Sequence, residues 1–226
     1  MPKFILVRHG ESVWNSQRRI QGSQDPELSP RGRRQTDLLV AHLDAHLSEA
    51  VAAIYSSPLR RAAQTADRIA GAYNLPVIHD PDLREISLGK WEGMTVAKIQ
   101  AATPGRYEQW LEDPLTFPAP GGEDLRAFER RVVGALHRMQ EAHPGADLVV
   151  VSHGGVIKTL LCFALGLDVR SLFRLKQDNT AVSQIELDGR VRRVLLLNDT
   201  CHLNVGGGSV AARDVLTDAA EVADPA

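Results

Sequence analysis

Twice in this chain an apolar run stops at a histidine followed by glycine: "FILVRHG" from Phe4 and "DLVVVSHGG" from Asp147. The second run is apolar at every position from Leu148 to Val151, the pattern of a strand in a parallel sheet covered on both faces. A buried strand excludes arginine and histidine unless they are paired, because desolvating a charged group is costly. In open parallel sheets, however, the carboxyl ends of the strands face a crevice where ligands bind. His9 and His153 are therefore expected to share one crevice despite their separation in sequence.

The rest of the chain alternates strand and helix signals around these runs. Ser29 and Pro30 open a helix as N-cap and first-turn residue, with Leu39, Leu43 and Leu47 as its inward stripe. "VAAIYSS" reads as a strand stopped by Pro58, and the following helix carries Ala62, Ala66, Ile69, Ala70 and Tyr73 on one face. "LPVIHD" reads as a third strand. A loop-rich middle runs from Leu83 to Gly122. A helix lined by Leu125, Phe128, Val132, Leu136 and Met139 follows and ends at His143-Pro144-Gly145. "AVSQIELDGRVRRVLLL" is a hairpin turning at Asp188-Gly189. The expected fold class is α/β: a three-layer sandwich with a mainly parallel central sheet, helices on both faces and an antiparallel hairpin at one side.

Composition narrows the function. The 226 residues are 43% hydrophobic and 24% charged, with a formal net charge of -2. That balance gives no footprint for nucleic acid or an anionic membrane surface. No apolar stretch approaches the roughly 20 residues that span a bilayer, and the short apolar run before a polar motif is not expected to act as a signal peptide. Cys162 and Cys201 match no metal or redox spacing, so a cytoplasmic location is expected. After residue 203 the chain turns small, Gly-rich and acidic, and a flexible tail is expected over 204–226.

Gathered at the strand ends, Arg8, His9, His153 and Glu85, with Arg60 and Arg61 just past the second strand, describe a pocket for an anion with four acceptor oxygens. Phosphate fits best, since the planar guanidinium matches it bidentately. A metal is the competing reading for the histidines, and the fixed charge of Arg8 beside His9 opposes it. Arg61 reads as a helix-surface charge. Ser12 suits a helix cap as well as a phosphate ligand, and Trp91 suits core as well as a substrate platform. Glu108, Glu112 and Asp113 either face the pocket or form a solvated face.

"LVRHGESVWN" resembles the signature of the histidine phosphatase superfamily, the phosphoglycerate mutase-like group. The likeness continues through "RIQGSQDPELSPRGRRQ", "YSSPLRRAAQTA", "LREISLGKWEGMT", "PGGED" and "VVVSHGGVIKTLL", covering roughly residues 3–202. It implies that His9 is a nucleophile forming phosphohistidine, with its ring oriented by the Gly10 carbonyl. It further implies that Arg8, Arg60 and His153 stabilise the transferred phosphoryl group, and that Glu85 donates a proton to the leaving oxygen. Asn15, Gln21, Gly22 and Gly154 complete the implied substrate-binding set. No metal or other cofactor is expected, because the guanidiniums supply the charge stabilisation. The segment "LREISLGKWEG" lacks the tyrosine and basic insertion of the cofactor-dependent mutases and is similar to the small phosphatase branch. Hydrolysis of a small phosphorylated metabolite is therefore expected, with mutase-type transfer or a phosphate-binding pseudoenzyme as alternatives. The expected domain spans 1–203 with a cap over about 93–121, and the hairpin offers an edge strand through which a homodimer would pair.

Overall fold

A computed structural model describes residues 2–46, 51–188 and 191–204. The run Phe4–Val7 forms the buried centre of β1 (Lys3–Arg8), and its neighbour β4 (Asp147–Ser152) is buried along all but its first residue. The two pair in parallel, with Val7 opposite Val151 and Arg8 opposite Ser152. That register sets His9 and His153 side by side. In the six-stranded sheet, β2 (Val51–Ser56) and β3 (Val77–His79) extend the parallel side, giving the order β3-β2-β4-β1-β5-β6. The last two strands, β5 (Val182–Asp188) and β6 (Val191–Asp199), form the antiparallel side. The mainly parallel sheet with a hairpin at one edge is thus as expected. Gly189 of the turn and the tail beyond Asn204 lie outside the described residues, as does Leu47 of the predicted stripe.

Helices cover both faces. Leu39 and Leu43 of α2 (Pro30–His46) pack with Ala62, Ala66, Ile69 and Ala70 of α3 (Arg60–Tyr73) against one side. The predicted stripe of α6 (Leu125–Ala142) packs with α7 (Gly154–Leu165) against the other. Ser29 caps α2 as its sequence suggests, its Oγ accepting the Gly32 N–H at 3.0 Å.

Besides the short α1 (Val13–Ser16), which follows β1, two helices depart from the expectation of a loop-rich middle: α4 (Val96–Ala102) and α5 (Arg106–Glu112). Each has seven residues, too few to print a periodic stripe and too few to be stable alone. Packing holds them instead: Ile99 of α4 shares an apolar cluster with Trp91 and with Tyr107 and Trp110 of α5, whose three rings have centroids 5.4–5.8 Å apart. Trp91 is therefore core. Among the described residues no helix is long and apolar enough to cross a membrane.

Candidate active site

His9 sits just past β1 with its backbone N–H donating to the Ser152 carbonyl at 2.9 Å. Its ring is almost wholly buried, at 2% exposure. Nδ1 lies 2.7 Å from the Gly10 carbonyl, which can only accept, so the ring proton resides there. Nε2 then presents its lone pair and accepts the Arg61 Nε–H at 3.2 Å. Burial, with Arg61 and Arg8 beside the ring, holds the His9 pKa well below the ordinary imidazole value. The ring is thus neutral at pH 7, oriented, and nucleophilic at Nε2. His153 stands edge-on to it at 5.1 Å and is kept neutral by burial and the same two arginines. One nitrogen of His153 meets Ser57 Oγ at 2.8 Å, while Nδ1 is buried without a hydrogen-bond partner among the described residues.

The arginines exchange places relative to the sequence reading. Arg60 projects outward, 56% exposed, and pairs with Glu27 at 3.0 Å. Arg61 is the buried one, at 1% exposure. Besides His9 it donates to the carbonyls of Gln24 at 2.6 Å and Gly22 at 3.0 Å. Burial lowers its pKa to about 10, so it remains charged at neutral pH. Arg8 is also buried and donates to the Gln177 carbonyl.

Glu85 reaches the same crevice from the loop after β3. Its Oε2 accepts the Gly155 N–H at the start of α7, and its Oε1 accepts the N–H of Ile86, both at 3.0 Å. A Cβ on residue 155 would lie 2.3 Å from Glu85 Oε1, so only glycine leaves room for this approach. Glu92, on the same loop, has a different task. It accepts hydrogen bonds from Ser23, Gln24, Ser87 and Leu88, tying the 21–24 loop to the 87–88 turn. Burial alone would raise its pKa, but these hydrogen bonds outweigh it and lower the value.

Ser12 is the N-cap of α1; its Oγ–H donates to Gln21 Oε1 at 2.6 Å, and its backbone N–H donates to Asn15 Oδ1 at 3.1 Å. With their carbonyl ends so engaged, both amides keep their NH2 donors for the cavity that they line. Gly22 lines it too, as does Gly154 at the head of α7. Behind the site, Thr180 N–H reaches the Arg8 carbonyl at 3.1 Å, and Asn179 Nδ2 reaches the His9 carbonyl at 3.1 Å. The sequence reading assigned no role to Ser57, Asn179 or Thr180. Their partners are remote in sequence, and no local pattern announces them.

Above this polar floor the cavity wall is apolar, with Ile20, Ile86, Leu88, Trp110, Leu172 and Phe173 prominent. Lys158, nearly wholly buried, and Arg19 add positive charge to the wall. The acids left undecided by sequence do not line the cavity: Glu108 bonds Gln100, Asp113 bonds Thr116, and Glu112 is exposed.

A neutral imidazole set between buried guanidiniums is an arrangement suited to a tetrahedral oxyanion, and fold and site together point to a phosphoryl-transfer enzyme. The chain belongs to the histidine phosphatase superfamily (branch 1), whose family model matches residues 4–200, and it is a phosphoric monoester hydrolase. It is 40% identical to phosphoserine phosphatase 1 of Hydrogenobacter thermophilus over 90% of this chain and 95% of that protein. Among solved structures, Bacillus stearothermophilus YhfR superposes with a TM-score of 0.82 at 33% identity, covering 89% of this chain and 99% of that one. The mycobacterial glucosyl-3-phosphoglycerate phosphatase Rv2419c, in complex with VO3, superposes with a TM-score of 0.80 at 32% identity, covering 88% and 99%.

Proposed function

We propose that this protein hydrolyses small phosphomonoesters without a metal, through a phosphohistidine at His9. The observation that carries this reading is the state of the His9 ring: Nδ1–H held by the Gly10 carbonyl, and Nε2 carrying the lone pair, which accepts the Arg61 N–H. Substrate phosphate settles on Arg8, Arg61, the Asn15 and Gln21 amides and the α7 N-terminus. Arg61 Nε turns from His9 to a phosphate oxygen, which releases the lone pair. Nε2 attacks in line, the P–O bond to the alcohol breaks, and Glu85 gives its proton to the departing oxygen. Water then attacks the phosphohistidine with Glu85 as base, releasing inorganic phosphate and restoring His9. His153 carries a ring nitrogen without a hydrogen-bond partner among the described residues, and a bound dianion would favour its protonated, donating form.

Phosphoserine is the first substrate to test. A relative of nearly the same length is named for it. The cationic residues Arg19 and Lys158 on an otherwise apolar wall suit a carboxylate beyond the phosphate. The enzyme is expected to act on such a metabolite in the cytoplasm. The test is rapid acid-free quenching with labelled phosphoserine and a panel of other phosphomonoesters. Acid-labile, base-stable label should appear on the wild type and vanish in His9→Ala. Label retained in that variant removes His9 from its role.

A further inference from the structure

On the far side of the hairpin, three side chains of different chemistry converge. His42 comes from α2, Asp199 ends β6, and Cys201 opens the single helical turn Cys201–Leu203. His42 Nε2 lies 3.5 Å from Asp199 Oδ2, Cys201 Sγ lies 3.5 Å from the same oxygen, and Sγ to Nε2 measures 3.9 Å. In tetrahedral zinc, bonds of about 2.3 Å to sulfur and 2.0–2.1 Å to nitrogen or oxygen place those ligand atoms about 3.3–3.6 Å apart. The triangle thus closes on a zinc ion with side-chain adjustments of a few tenths of an ångström. We propose that His42, Asp199 and Cys201 form a zinc site, separate from the active site, with its fourth position open to water.

The donor set selects the ion. Thiolate and imidazole disfavour magnesium and calcium, which take oxygen ligands, and suit zinc. The carboxylate is already oriented, since the Cys201 N–H donates to Asp199 Oδ1 at 2.9 Å. On binding, the Sγ–metal bond forms as the thiol proton leaves to solvent. The next residue, His202, is buried, stacks on His42 at 5.4 Å and has a ring Nδ1 without a hydrogen-bond partner among the described residues. Its Nε2 meets Thr180 Oγ1 at 3.0 Å, and Thr180 N–H holds the Arg8 carbonyl. The ion would therefore clip α2 to the chain after β6, one residue from the brace behind His9.

The full-length, tag-free protein, stripped by chelator and dialysed, should take up one equivalent of zinc in competition with a chromophoric chelator. Its thermal midpoint should rise with zinc and not with magnesium. Cobalt in place of zinc should give a thiolate-to-metal charge-transfer band in the near ultraviolet. Cys201→Ser should abolish that band and the zinc uptake, His42→Ala should abolish the uptake, and Cys162→Ser should retain both. Circular dichroism establishes that each variant is folded, and the cobalt spectrum of the unmutated protein needs no variant at all. No stoichiometric uptake, or no charge-transfer band, overturns the proposal. So does uptake that survives Cys201→Ser and disappears in His9→Ala, which would put the ion in the active site.

Discussion

Arg60 and Arg61 offer a direct test, because adjacent arginines in one motif receive opposite fates in the structure. Arg61 donates to His9 Nε2, so its guanidinium stands beside the oxygens of a phosphoryl group approaching that nitrogen. Losing one such donor in a water-excluded site costs about 2.7–4 kcal/mol of barrier, or about 10²–10³ in rate. Alanine would confound the measurement, since the buried Gly22 and Gln24 carbonyls would each lose a partner at about 1–3 kcal/mol. Arg61→Lys keeps the charge but lacks the planar fork that serves His9 and both carbonyls together. We expect Arg61→Lys to slow the phosphoryl-transfer step by about 10²-fold or more. Arg60→Ala removes an exposed pair with Glu27 and should stay within about twofold. The assay is single-turnover rapid quench on phosphoserine, with melting curves to establish folding. Equal losses, or a greater loss in Arg60→Ala, would refute the assignment of the buried arginine to phosphate.

Stability should fall as pH drops from about 6.5 toward 4. His9 and His153 are neutral when folded, and His202 titrates at about 4 for reasons of burial first and His42 second. Below the unfolded value of about 6.5 the unfolded chain therefore binds protons that the folded one refuses, which favours unfolding. A melting temperature flat from pH 7 to 5 would contradict the neutral histidines. Chelator treatment should change kcat on phosphoserine by less than about twofold, because guanidiniums supply what a metal otherwise would; activity restored only by a divalent ion would end the metal-free mechanism. Glu85→Gln should slow transfer from an alkyl phosphate by about 10²-fold and from p-nitrophenyl phosphate clearly less, since nitrophenolate departs without a proton. Equal losses on both esters would mean that Glu85 only shapes the pocket. Glu92→Gln should lower the melting temperature and leave that leaving-group contrast intact.

How much of this site the sequence discloses depends on whether the relevant geometry is local. The two histidines are legible because a fully apolar strand of a parallel sheet must end at the crevice, and the register of β1 with β4 then brings the ends level. Glu85 is legible only through its motif. Nothing local distinguishes it from Glu92 seven residues on, because the distinction is made by Gly155, far along the chain, whose missing side chain admits Glu85 to the head of α7. The short helices α4 and α5 are illegible for a related reason, being held by the apolar cluster of Ile99, Trp91, Tyr107 and Trp110 rather than by their own periodicity.

The placement of the two arginines is more instructive, because the sequence does carry it. A motif match assigns a residue type to a stretch, but it does not say which way a side chain points; the helical period does. Stepping back by fours from Tyr73 passes through Ile69 and Thr65 to Arg61, and Ile69 and Thr65 are both buried. Arg60 belongs instead with Gln64, Arg68 and Gly71, on the face left toward solvent, where Arg68 pairs with Asp37. Extending the apolar stripe of α3 one turn toward its N-terminus therefore turns Arg61 inward, to the point where Thr65 Oγ1 also takes the Gly10 N–H. A buried arginine on such a stripe is costly unless it has partners, and the turn that carries it lies at the end of β2, beside His9. The cost of burying Arg61 is thus itself a pointer to function: a guanidinium that the fold desolvates at a strand end, and satisfies with two carbonyls and the His9 ring nitrogen, is poised for an anion.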